Sequence, residues 1–441
     1  MEAVFLIFLM LSVACGRHHN HHCAHDEIPA PPYNFAAQEY YEPTGHGRRT
    51  TSNSYEPIRI HVITQNLAAL DSARQSFLMN TLVPAAVSVL SRALSVVRVQ
   101  GPLRVNRNCG STWQVAGSPC ASVGQPVRCG YMPDGTSAAV ADYLLNSLQT
   151  CSSCNADGTC NPSSCTTSAN GTGVSNADFV LYVTSATTGS CPASAGDGTL
   201  AYASTCVRDQ YDRPIMGQAN FCPVALSSSS SAWEDQLSTA VHELLHALGF
   251  STDSWALFRH QDGTPRTPRG ADGLPALTPT LCTDGVTRTV RAPSASTLLV
   301  RQERGVIVNR MVTPKVVAVA RDLLGCSTLE GPELENQPTT SGSCFGSHWE
   351  QRLFPQEMMA STASHNSFIS ALTLAALEDS GWYRANWSMA EPLVYGRNAG
   401  CAWATERCID SSGVAQDGFC NVAQQDGCMR PTPLMTTDHR S

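Results

Sequence analysis

Apolar residues recur every three or four positions from about Ser72 to Val96, and again at Leu237, Val241, Leu244, Leu245 and Leu248. Both stretches therefore predict helices with one buried stripe. The second follows a serine run over 227–233, so a serine or Asp235 is expected as its N-cap. Gly249 is expected to end it, because glycine tolerates the left-handed conformation that turns the chain away. Further helices are predicted over 315–326 ("KVVAVARDLLGC") and 367–381, the latter again closing on a glycine. Strands are predicted at 57–63 ("PIRIHVI"), 177–186 ("ADFVLYVTSA") and 198–206 ("GTLAYASTC"). The remaining stretches lack a sustained period. Residues 107–175 read as polar loops stapled by disulfides, and 251 to about 347 reads as irregular apart from the helix at 315–326. A small cysteine-rich module follows from 391, with Cys401, Cys408, Cys420 and Cys428. No internal repeat is visible, and helices mixed with strands in this order predict an α+β fold.

The helix over 233–248 carries chemistry. Its "AVHELLHALGF" places His242 and His246 four residues apart, one turn along the same face, where both can hold one metal ion. Glu243 follows the first histidine and is positioned to take a proton from water without ligating the metal. A catalytic zinc commonly has three protein ligands and one open position. Where a glycine follows the second histidine by three, the usual pattern sets another histidine three further on, but Thr252 stands there. The downstream candidates for the third ligand are His260, His348 and His365.

Composition narrows the setting. The chain has 441 residues, 42% hydrophobic and 15% charged, with a formal net charge of −8, which suits two or three globular domains. It lacks a basic stripe with interleaved aromatics, so nucleic acid is not an expected partner. The apolar run from Ala3 to Leu11, followed by small residues, predicts a secretory leader over 1–16. Later segments offer no stretch of about 20 apolar residues, so a transmembrane span is not expected. Nineteen cysteines fit an oxidising compartment. The cluster Cys151, Cys154, Cys160 and Cys165 has a zinc reading, but in a secreted chain disulfides are the stronger one. Asn170-Gly-Thr and Asn386-Trp-Ser are glycosylation sequons. Arg48-Arg49 is a candidate processing site.

"HELLHALGF", a long insertion, "GSHWE" and then "QEMMAS" together resemble the leishmanolysin family of metzincin peptidases. The resemblance implies that His348, 102 positions after His246, is the third zinc ligand, and that Met359 is the methionine of the Met-turn. It implies a metzincin-type catalytic domain with a long insertion before the third histidine. The tract "HHCAHD" is similar to a family propeptide segment, which makes Cys23 a candidate latency switch, its thiolate occupying the position that water needs. The implied organisation is a propeptide over 17–54, an N-terminal catalytic subdomain over 55–250, a subdomain over 251–390 with the insertion, third histidine and Met-turn, and the module over 391–441. The insertion is longer and the C-terminus shorter than the family pattern. The expected protein is a secreted or extracellular-surface endopeptidase with one catalytic Zn2+, acting on proteins or peptides. The alternative is a cell-surface adhesion or interaction protein on the same scaffold. Oligomeric state is not readable from the sequence.

Overall fold

The computed structural model describes residues 21–25, 32–40, 55–113, 119–130, 137–194, 199–336, 344–363, 367–416 and 418–419. The predicted leader, Arg48-Arg49, His365, Cys420 and Cys428 lie outside them.

A four-stranded sheet forms the frame: β1 (Ile60–Gln65), β2 (Phe179–Thr184), β3 (Ala201–Arg208) and β4 (Pro214–Phe221), in the order β3-β4-β2-β1. β2 runs parallel to both its neighbours, whereas the edge strand β3 is antiparallel to β4. Alternate residues of β2 serve two cores. Phe179, Leu181 and Val183 face the helices, while Val180 and Tyr182 face a second cluster built from 99–145. With both faces covered, the strand reads as a continuous apolar run.

The first long helix is α1 (Ser72–Phe77), continued through a π turn over Leu78–Leu82 into α2 (Val83–Ala93). It stops short of the predicted Val96. Leu94–Val97 is instead a strand that pairs with Tyr55–Pro57 and with Arg384–Ala385, because its β-branched residues find two partners there. The histidine helix is α3 (Trp233–Ala247). Asp235 lies in its first turn rather than at the cap. Ser229 caps a 3-10 turn over Ser230–Ala232 that leads directly into α3, so the helix starts without a side-chain cap of its own. Gly249 adopts φ +109° as expected. Gly217 of β4 gives α3 its close approach: a Cβ there would lie 3.0 Å from Ala247 Cβ and 2.8 Å from the Phe179 ring.

Residues 251–347 are more ordered than the periodicity implied. A hairpin joins Thr278–Leu281 to Thr287–Val290. β5 (Leu298–Glu303), β6 (Val306–Met311) and β7 (Glu333–Leu334) make a three-stranded sheet, and α4 (Pro314–Leu324) packs on α5 (Ala371–Asp379). The strands carry many arginines and glutamates, which mask an alternating pattern. They are satisfied in pairs, as where Glu333 receives Arg304, Arg310 and Arg352. Likewise 107–175 holds a small four-stranded sheet rather than loops alone.

Seven disulfides join described cysteines, among them Cys151–Cys165 and Cys154–Cys160, which takes those four thiols away from any metal. Cys401 bonds not within the C-terminal module but to Cys326 at the end of α4. Among the described residues, no helix is long and apolar enough to cross a membrane.

Candidate metal centre

α3 carries His242, Glu243 and His246 on the face turned toward the C-terminal half of the chain. All three are buried, at 8%, 2% and 0% exposure. His348, 1% exposed, arrives from a segment bridged to β7: Glu335 N–H donates to His348 O at 2.9 Å, and Glu350 N–H to Glu333 O at 3.0 Å. The His246 Nε2 lies 3.0 Å from His242 Nε2 and 3.1 Å from His348 Nε2. His260 is exposed and engaged in a tight turn with Thr264, so it is not brought to this point.

The other ring nitrogens decide what these contacts mean. His242 Nδ1 faces Met358 O at 2.6 Å, and His246 Nδ1 faces Phe250 O at 2.6 Å. A carbonyl oxygen only accepts, so in both rings Nδ1 carries a proton, and in the neutral form of each ring Nε2 presents its lone pair. His348 Nδ1 is held by the Glu335 carboxylate. Burial, reinforced by His25, His242 and His348, holds His246 well below its ordinary pKa, so this ring keeps its Nε2 lone pair. In the neutral rings three lone pairs converge, and at this distance they repel one another unless a cation lies among them. Tetrahedral zinc at its usual Zn–N distance sets ligand nitrogens about 3.3 Å apart, and the observed spacing fits that group.

The fourth side of the cluster is Cys23. Its sulfur lies 3.5 Å from His246 Nε2 and 3.5 Å from Glu243 Oε1, and the ligating atoms of Cys23, His242, His246 and His348 all fall within 4.8 Å of one another. The segment around it occupies the cleft as a strand, with His21–His22 antiparallel to Thr362–Ala363 and Cys23 N–H donating to Ser361 O. His25, missed by sequence reasoning, stacks on His246 with ring centroids 4.0 Å apart. It bonds Ala203 O on the edge strand β3 and Ser251 Oγ. Its spacing from Cys23 was visible in "HHCAHD", but a lone histidine does not announce a stacking partner. Burial, then the neighbouring Glu243, push the Cys23 thiol up to about 12.

Burial also raises Glu243, to about 7, against the opposing Cys23 hydrogen bond. Its Oε2 is buried without a hydrogen-bond partner. Met359 is fully buried, and Met358, whose carbonyl fixes His242, lines the space beside Cys23. The turn carrying both is held by Glu357, which accepts from Met359 N–H and from Ser370. Next to this space lies a cavity of about 480 Å³ walled by Leu237, Val241 and Phe368 together with Arg92, Glu234 and Glu391. Asn170 and Asn386 are both exposed.

The α+β frame thus brings Cys23, His242, His246 and His348 together as a group that could hold a metal ion, with Glu243 beside it. The family profile of leishmanolysin matches residues 149–432, and the chain belongs to the leishmanolysin family of peptidases. It is 34% identical to the leishmanolysin-like peptidase of Drosophila melanogaster, across 98% of this chain and 63% of that protein. Against the leishmanolysin-like peptidase of Caenorhabditis elegans it is 36% identical, across 80% of this chain and 52% of that one. Leishmanolysin of Leishmania major is 32% identical, across 60% of this chain and 36% of its own length. The chain thus spans between about half and two thirds of the length of these two leishmanolysin-like peptidases.

Proposed function

We propose that this protein is a secreted, zinc-dependent endopeptidase of metzincin type, kept latent by its own N-terminal segment. The observation that carries the reading is the convergence of three imidazole Nε2 atoms whose Nδ1 atoms are each held by a carbonyl or a carboxylate. His242, His246 and His348 would hold a single zinc ion. When bound, the ion supplies Lewis acidity, polarising a peptide carbonyl, acidifying water and favouring the thiolate form of Cys23.

The chain's own groups do the rest. Glu243 Oε2, buried and without a partner, accepts a proton from the attacking water and returns it to the leaving amine. The neighbouring cavity, with both apolar and charged walls, receives a substrate side chain, and the edge strand β3 pairs with an extended peptide; in the latent chain the His25 ring already bonds Ala203 O there. The turn through Met358 and Met359 fixes the His242 ring by a backbone carbonyl. Cys23 and the 21–25 segment fill the position that water and substrate require. The predicted leader and the disulfides support an extracellular setting, and the exposed Asn170 and Asn386 are candidate glycan sites. Intact His242, Glu243, His246 and His348 count against an adhesion protein on a vestigial scaffold.

The test is metal content and peptide cleavage on the same preparation. The processed protein should carry one zinc per chain, lose cleavage with a strong chelator and regain it with zinc. His348→Ala should lower zinc occupancy, whereas His260→Ala should not. A metal-free preparation that still cleaves peptides would exclude the mechanism.

A further inference from the structure

All three histidines are oriented through Nδ1, but their acceptors differ. Those of His242 and His246 are backbone carbonyls, of Met358 and Phe250, and both rings project from a helix. His348 stands on an irregular segment, and its acceptor is a carboxylate, Glu335, thirteen residues earlier and only 6% exposed. We infer that Glu335 is a positioning residue for the metal centre, aiming His348 Nε2 at the cluster and strengthening it as a donor. The inference rests on the proposed role of His348 as a ligand.

The surroundings are built for this. Glu335 grips His348 twice, through its carboxylate and through its N–H to His348 O at 2.9 Å. The strand that delivers it, β7, is anchored two residues earlier, where Glu333 binds Arg304 at 2.7 Å, Arg310 at 3.0 Å and Arg352 at 2.9 Å. On the His348 side, Trp349 is fully buried and its indole N–H donates to Thr373 Oγ1 at 3.0 Å. Acceptor and ring are thus each tied to rigid elements, so the Nδ1 bond sets the ring's rotation. A carboxylate acceptor makes a stronger bond than a carbonyl and increases the electron density the other nitrogen offers a metal. A buried carboxylate placed only for stability would not need the one histidine that the cluster takes from outside α3.

The experiment measures zinc affinity of the full chain by chelator competition. Glu335→Ala should bind zinc about 10- to 100-fold more weakly than wild type. Glu335→Gln, isosteric and still an acceptor but uncharged, should lie between the two. Cobalt-substituted Glu335→Ala should also show a shifted visible spectrum, which loss of general stability would not produce. Equal zinc affinity in a Glu335→Ala protein that melts like wild type in its metal-free form would overturn the inference. Should Glu335→Ala fail to fold, wild-type affinity in Glu335→Gln overturns it as well. If wild type binds no zinc, or His348→Ala binds it undiminished, the metal reading itself falls and the inference with it.

Discussion

Glu243 presents two oxygens in different surroundings. Oε1 accepts from the Cys23 thiol at 3.5 Å, while Oε2 is buried without a partner. An unsatisfied buried carboxylate oxygen is costly in a protein that uses it only for structure. At a hydrolytic site the same oxygen is the one that takes a proton. Glu243→Gln should therefore leave zinc content unchanged, as the histidines remain, and lower turnover by about 10²- to 10⁴-fold. Steady-state kinetics with metal analysis checks this, and a Gln variant with native turnover would remove the glutamate from the mechanism. The variant should also be no less stable than wild type in thermal melts, because it relieves the burial of a charge.

At the scale of elements, the end of β3 is tied to the turn after α3 by Arg208. Its guanidinium reaches Asp253 at 3.0 Å and Ser254 at 2.8 Å, with side chains 2% and 11% exposed for Arg208 and Asp253. Burial alone would raise the Asp253 pKa, but Arg208 and the Ser251 hydroxyl outweigh it and the net direction is downward. A depressed carboxylate contributes stability above its unfolded pKa, about 3.9, and loses it as the pH falls through the folded value. Asp253→Asn should thus destabilise by about 3 kcal/mol at pH 7, leaving Arg208 buried without its counter-charge. The gap between variant and wild type should narrow below about pH 4. Denaturant unfolding at the two pH values measures it, and a pH-independent gap would show that the ion pair is not its source.

Across the whole molecule, the N-terminal segment is held at two separate places. Residues 21–25 occupy the cleft, while 33–40 dock beyond it. There Arg208 N–H donates to Asn34 O, Ala36 is fully buried in the second core and Tyr40 bonds Asp209. Cys23 is therefore one of several contacts that fill the site, alongside His25 and the strand pairing with 361–363. Cys23→Ala should give a precursor more active than the wild-type precursor but less active than a chain lacking residues 1–25. Side-by-side peptide cleavage by the three proteins tests this. Equal activity of Cys23→Ala and wild-type precursors would show that the thiol is not what keeps the chain silent.

Local pattern was enough for some of this. The spacing of His242, Glu243 and His246 requires only that the stretch be helical, and the apolar stripe plus Gly249 settle that within a few turns. The buried β2 and the sulfur chemistry of the cysteine clusters were legible for the same reason. β4 was not, because its Gln218 and Asn220 break the apolar run. They are buried nonetheless, bonded to Thr184 and the Ala186 carbonyl across the sheet. The sheet of β5, β6 and β7 was hidden likewise, its charges paired with residues far along the chain. His348 could be named only through family resemblance, since periodicity carries no information about a residue 102 positions from its neighbour in space. Which ring nitrogens carry protons, that Glu335 rather than a carbonyl holds the third histidine, and that His25 stacks on His246 were decided by tertiary structure alone. Local sequence sets the backbone's short-range preferences, whereas these contacts join segments that meet only once the core has closed.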